Sequence, residues 1–462
     1  MQSTQLKRRD GTAVEAGLIE AFKTDFRGQV VLPADAGYDR ARQIWNVSID
    51  KHPGLIARCS GVADVVRAVN FGRGNNLLVA VRGGGHNVGG RATCNDGMVI
   101  DLSLMKGVFV DPVQRTARVQ GGATLGEVDR ETHLHGLAVP MGVVSRTGIG
   151  GLTLGGGGGW LVRKHGLTCD NVLSCEVVTA AGEVFTASEE HNADLFWGLR
   201  GGGGNFGIVT SFLFRAHPVS TVLGGFIFHA RDQAHDVLRH YRSYMAGAPE
   251  ELTAFAALLS MPDGTPVTAV VACYCGDAAE GERVLKPLRT FGSPLLDAIQ
   301  SMPLPAMQQL IDAGNPGGTY NYWRSTFLRE LSDDALDLII EHANRTESPM
   351  SATVFELYGG AAGRVGSADT AFAPRQAEYN IQMAAQWRDA ADSAKHIAWA
   401  RGLSDALKPY SSGRYLMNYL NDETPDAVRR AFGSNYPRLV KLKTKYDPTN
   451  FFSLNQNVQP AR

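Results

Sequence analysis

A histidine placed directly behind three glycines, in Arg82-Gly83-Gly84-Gly85-His86-Asn87, is well set to act on a bound molecule. Consecutive glycines let the backbone approach a ligand closely, and the imidazole then reaches whatever that backbone cradles; alone, the run also reads as a plain surface turn. A second candidate is Glu356, a carboxylate in the otherwise apolar run Thr353-Val354-Phe355-Glu356-Leu357-Tyr358. Such a group sits at a sheet edge or points into a pocket. In a pocket, burial raises its pKa, and it serves as acid or base near neutrality or as the counter-ion of an amine. Side chains two apart on a strand share a face, so Tyr358 points with Glu356.

The elements that must position these groups fall into two blocks. Up to Pro218, short apolar strands alternate with helices and glycine turns: a helix over Gly61 to Phe71, then strands over Asn75 to Val81, Met98 to Leu102 and Arg115 to Gln120. Two more glycine clusters follow, Gly148-Ile149-Gly150-Gly151 running into Gly155-Gly156-Gly157-Gly158-Gly159-Trp160, and Gly201-Gly202-Gly203-Gly204-Asn205-Phe206-Gly207 before a β-branched strand, Ile208 to Phe214. After Pro218 the long glycine clusters stop. Strand candidates at Phe226 to Phe228, Val267 to Tyr274 and Ala352 to Tyr358 alternate with helices at Asp333 to Ala343 and Ala394 to Leu407, which predicts an antiparallel sheet with helices on one face. The expected class is α+β.

With 462 residues the chain has room for two or three domains with sizeable cores. A net charge of −1 offers no basic field for nucleic acid or an anionic membrane, and no apolar run approaches the roughly 20 residues that span a bilayer. The six cysteines form no CxxC pair and no zinc-finger spacing, so free thiols and no metal are expected. Lys7-Arg8-Arg9 is followed by Glu15, Glu20 and Lys23 instead of an apolar stretch, which argues for a cytoplasmic protein. His133, His135 and His165 stand in no matching motif and are expected at the surface or behind the site, with Asp170-Asn171 shaping a turn.

The 53 glycines, against about 7% in an average chain, cluster without a collagen-like period. Gly202-x-Gly204-x-x-Gly207 formally matches the dinucleotide fingerprint, but a strand follows it where that fingerprint needs a helix. No GxxxxGK[ST], GxSxG or HExxH motif occurs, so kinase, hydrolase and metalloprotease readings lose their main support. Three separated glycine clusters suit an extended ligand bearing a pyrophosphate, because exposed backbone N–H groups bind anions without lysine. FAD is such a ligand.

Taken in order, the Arg82 to Asn87 run, the Gly148 to Gly157 cluster, Leu195-Phe196-Trp197 with Gly201 to Val209, and the closing Tyr446-Asp447-Pro448-Thr449-Asn450-Phe451-Phe452 with Asn455-Gln456-Asn457 resemble the FAD-linked oxidases of the berberine-bridge-enzyme type. The resemblance covers about Trp45 to Asn457. It implies a vanillyl-alcohol-oxidase (PCMH-type) flavin domain of two subdomains over 20–218, a substrate domain over 219–410, and a closing segment over 411–462 that completes the flavin domain. It also implies an FAD bonded through a ring nitrogen of the histidine matching His86. Arg82, Gly83, Gly84, Gly85, Asn87, Gly148, Gly150, Gly151, Gly155, Gly207, Val209, Asn455 and Asn457 are expected around the cofactor. Family members with a second covalent bond carry a cysteine at the position of Val144, which cannot bond, so one link is expected.

Thr147 stands where family oxidases often carry a small apolar residue. Together with Val144-Ser145-Arg146 it resembles the singly tethered bacterial subgroup that includes the enterocin Favorskiase and 6-hydroxynicotine oxidase. The resemblance implies an oxidase taking hydride from an alcohol, sugar, amine or polyketide-like substrate and reoxidised by dioxygen to hydrogen peroxide; alternatives are oxygenation or oxidative rearrangement through a flavin-N5-oxide and a flavin- or sugar-binding protein without turnover. Tyr419 matches the tyrosine that lies over the flavin in the family, with Tyr415 in reserve. As proton acceptor it needs its pKa brought down from about 10 by neighbouring donors. A monomer or homodimer is expected.

Overall fold

The computed structural model describes residues 5–376, 379–421 and 424–461. A small sheet runs in the order Gln29–Val31, Leu55–Arg58, Met98–Asp101, Val79–Arg82, the last three strands parallel. Parallel neighbours require a crossover. The helix Val62–Gly74 supplies it and buries Val65, Ala68 and Val69. Asn75–Leu78, expected to begin the strand, instead form its approach: Asn76 is left-handed at φ 50° and the strand starts at Val79.

A second sheet is antiparallel, in the order Val108–Asp111, Thr116–Gln120, Ile208–Arg215, Val172–Val178, Val184–Ser188. The third glycine cluster joins the helix Ala193–Leu199 to the strand Ile208–Arg215, so a strand does follow it. Within the second cluster Ile149–Leu154 form a short helix. The helices Pro425–Phe432 and Tyr436–Tyr446 return to this region, burying Phe432, Leu439 and Leu442 among Phe196, Phe206 and Phe212.

The third sheet orders its strands Leu296–Asp297, Thr221–Ala230, Pro266–Tyr274, Leu252–Ser260, Ala352–Leu357, Tyr379–Trp387, Tyr320–Leu328, all antiparallel, with Gln300–Pro303 also paired to Thr221–Ala230. Strand alternation separates its faces. Ile227, Ala256, Phe355, Ile381 and Met383 pack with Leu238 and Tyr241 of the helix Ala234–Met245, Ile339 of Asp333–Ala343 and Leu403 of Ser393–Ala406. The other face carries Glu356 and looks onto a cavity of about 810 Å³.

Candidate active site

The strand Val79–Arg82 delivers the first glycine turn to this cavity. Arg82 does not enter it. Its guanidinium donates to Asp101, its in-register partner on the neighbouring parallel strand, at 2.7 Å, and to the Ala41 carbonyl at 2.7 Å. Beyond it two glycine turns meet backbone to backbone: a Cβ on Gly84 would lie 2.5 Å from the Gly148 nitrogen, and one on Gly148 would lie 2.3 Å from the Gly84 nitrogen. Only glycine at both positions allows that crossing, and Gly85 turns the chain at φ +68°.

His86 is thereby held in the wall, stacked on Trp45 with ring centroids 4.3 Å apart. Burial pushes its pKa down to about 4, so the ring is neutral at physiological pH. Its Nε2 is buried without a hydrogen-bond partner. Gly83, Gly84, Gly85 and Asn87 line the cavity beside it, followed by Val144, Thr147, Gly148, Gly150, Gly151 and Gly155, and by Gly207, Val209 and Asn455. Tyr415 and Asn457 do not reach it; Arg430 lies over the Tyr415 ring at 5.8 Å. The expected cofactor set thus loses Arg82 and Asn457 from the wall, and the reserve tyrosine lies elsewhere.

These residues fit FAD. An unpartnered neutral imidazole stands in the wall, glycine backbone without Cβ atoms forms much of it, and the side-chain oxygens of Asn418 and Asn455 are buried without partners where both line the cavity. The closing segment is stitched to the third glycine turn: Asn455 donates to the Gly204 carbonyl at 3.0 Å, and Asn205 donates to the Gln456 carbonyl at 3.0 Å. Beneath them Lys443, fully buried, donates to Asp447 at 2.7 Å and to the carbonyls of Asn205 and Phe452 at 2.9 Å.

On the sheet side Glu356 is buried and accepts three hydrogen bonds: Tyr419 at 2.8 Å on Oε1, Tyr358 at 3.0 Å and Asn380 at 2.7 Å on Oε2. Burial raises its pKa, and the three donors oppose that rise. The expected lowering of Tyr419 is reversed. Burial and the facing carboxylate hold its phenol well above 10, so it is a neutral donor at rest. Tyr419 ends the short turn Met417–Tyr419 and its ring meets Trp323 edge-on at 5.7 Å.

Sequence reasoning missed several members of the site. Trp45, Trp323 and Asn418 lie in no glycine or charge pattern. Asp312 receives Ser145 by both backbone and hydroxyl, tying the Val144–Thr147 loop to the segment ahead of the strand Tyr320–Leu328. His165 stacks on His217 at 4.0 Å, outside the cavity wall, and Asp170 is held by Arg375 at 2.7 Å. All six cysteines are free and buried, and no helix among the described residues is long and apolar enough to cross a membrane.

Residues 53–188 match the FAD binding domain family and residues 416–459 the berberine and berberine-like family. An FAD-linked oxidoreductase of Dictyostelium discoideum is 36% identical over 90% of this chain and 91% of its own length. (R)-6-hydroxynicotine oxidase of Paenarthrobacter nicotinovorans is 30% identical over 95% and 98%. Among solved structures, 6-hydroxy-D-nicotine oxidase from Arthrobacter nicotinovorans superposes with a TM-score of 0.86 at 29% identity, covering 95% of this chain and 99% of that one. A chitooligosaccharide oxidase superposes with a TM-score of 0.85 at 25% identity, covering 96% and 100%. The glycine crossing, the cavity it frames and these matches agree: the chain belongs to the berberine-bridge-enzyme family of FAD-linked oxidoreductases.

Proposed function

We propose that the protein is an oxidase that removes hydride from a hydroxyl-bearing organic substrate, with FAD tethered once, through His86. The carrying observation is the buried Glu356–Tyr419 hydrogen bond in the wall of the cavity that His86 also lines. Bound FAD supplies the hydride acceptor and passes the two electrons to dioxygen, giving hydrogen peroxide. The chain supplies the proton acceptor. A substrate hydroxyl that donates to the Tyr419 oxygen loses its proton there as Tyr419 passes its own to Glu356 Oε1, so no free phenolate has to exist beforehand.

Neutral His86 carries the lone pair that a covalent bond requires, and Val144 offers no second attachment. Residues 20–218 with 411–462 form the flavin domain in this reading, and 219–410 the substrate domain. Anaerobic bleaching of the yellow protein by an alcohol, followed by stoichiometric peroxide on admitting air, is the expected behaviour. Bleaching without peroxide would leave a dehydrogenase.

A second reading, oxygenation of the substrate, is favoured by one observation: Thr147 brings a hydroxyl to the cavity wall, and no hydrogen bond from it is formed among the described residues. A product carrying an oxygen atom from labelled dioxygen, lost in Thr147→Val, is its test.

A further inference from the structure

The sheet face around Glu356 is unequal on its two sides. Glu356 pairs in register with Phe255, Phe255 with Val271, and Val271 with Phe226, and all four line the cavity. Neighbouring strands lie about 4.8 Å apart, so this row carries an apolar floor about 14 Å away from the carboxylate. Phe228, Ala257 and Leu259 widen it on the same face, and Leu310 and Ile311 also line the cavity. None of these side chains carries a charge or a polar atom. The polar residues Gln382, Gln386 and Asn321 stand on the opposite side of Glu356, on the strands Tyr379–Trp387 and Tyr320–Leu328, while on the floor side Ser260 lines the cavity only at the far end of the strand Leu252–Ser260.

Against the floor, Trp160 packs on Phe255 with ring centroids 5.4 Å apart. The tryptophan is 2% exposed, lines the cavity, and its indole Nε1 has no hydrogen-bond partner. A buried donor left unpaired is costly unless a ligand atom meets it.

Resting on the oxidase reading above, we infer that the substrate is an elongated, multi-ring, largely apolar alcohol. Its reacting hydroxyl sits at Glu356 and Tyr419, its body lies along Phe255, Val271 and Phe226, and an oxygen acceptor on that body meets the Trp160 indole N–H. Flat rings suit a floor built from phenylalanines, where offset and edge-on contacts add to burial. A sugar whose hydroxyls point into the same floor leaves them without partners, which counts against a carbohydrate body there.

The test uses the flavin-loaded protein without oxygen and three alcohols: glucose, benzyl alcohol and 2-(hydroxymethyl)anthracene. Flavin bleaching should half-saturate with the three-ring alcohol at a concentration at least about tenfold below that for benzyl alcohol, and glucose should fail. Phe226→Ser and Val271→Ser should raise the half-saturation about tenfold more for the three-ring alcohol than for benzyl alcohol. Bleaching by glucose at lower concentration than by either aromatic alcohol, or equal penalties on both aromatics in the two variants, would overturn the inference. Perturbation of the flavin absorbance separates the two claims. Tight binding of the three-ring alcohol without bleaching supports the apolar floor and sinks the oxidase reading, whereas bleaching by benzyl alcohol with no gain from the added rings sinks the floor alone.

Discussion

Tyr419 gives its hydroxyl hydrogen bond to Glu356 Oε1 at 2.8 Å, on a carboxylate that Tyr358 and Asn380 also hold. The carboxylate keeps the phenol protonated, and the phenol helps keep the carboxylate ionised. Glu356→Gln should therefore slow anaerobic flavin reduction by about 10²- to 10⁴-fold, with the absorbance of the oxidised flavin little changed. Tyr419→Phe should also slow it, since the relay atom is gone while the acceptor remains.

The pH dependence follows from the directions of the two shifts. Reduction needs Glu356 ionised, so its rate should rise with pH along a single limb centred above 4.5, the ordinary value for the group, because burial raises this pKa. No limb should appear near 10, since burial and Glu356 hold Tyr419 above that value. Stopped-flow reduction from pH 4 to 11 checks both, and loss of the acid limb in Glu356→Gln assigns it.

Asp129 supplies a stability prediction away from the site. It is 3% exposed on the helix Leu125–His133, its Oδ2 has no partner, and burial pushes its pKa up to about 8. The folded state then keeps a proton that the unfolded chain releases above about 4, so stability falls as pH rises from about 4 to about 8 and levels off beyond. Asp129→Asn should flatten that slope and raise the melting temperature at pH 8 by roughly 3–5 °C, with little effect at pH 4.5.

Arg82 and Lys443 are predicted to act on the frame. Arg82→Ala takes the nearer guanidinium from the buried Asp101 carboxylate, leaving it Arg58 at 3.6 Å and Ser103, and Lys443→Met removes the only cation beside Asp447 among the described residues and a donor to the Asn205 and Phe452 carbonyls. Each should cost about 3–5 kcal/mol in urea unfolding. The molecules that do fold should keep a normal flavin spectrum in Arg82→Ala, because that guanidinium does not line the cavity.

What the sequence reveals of this site follows the range of the signal. His86 is legible because the glycines that free its backbone are its chain neighbours. Glu356 and Tyr358 are legible as a pair because strand alternation puts both on one face. The bond from Tyr419 is not, since the turn Met417–Tyr419 meets the strand Ala352–Leu357 only in the folded chain. Arg82 looks like a ligand residue from its place beside the glycines, and it is turned to structure by an in-register aspartate on another strand. Trp45 under His86 has no local signal at all. The polarity difference across the large sheet is present in the residues, but it becomes a floor only once strand order is known.

The tether is tested most directly by intact mass. After acid denaturation the wild-type chain should carry the mass of one FAD, and His86→Ala should carry none while still binding FAD reversibly before denaturation. Release of all flavin from the wild-type chain, or an unchanged mass excess in His86→Ala, would contradict a single covalent hold through His86.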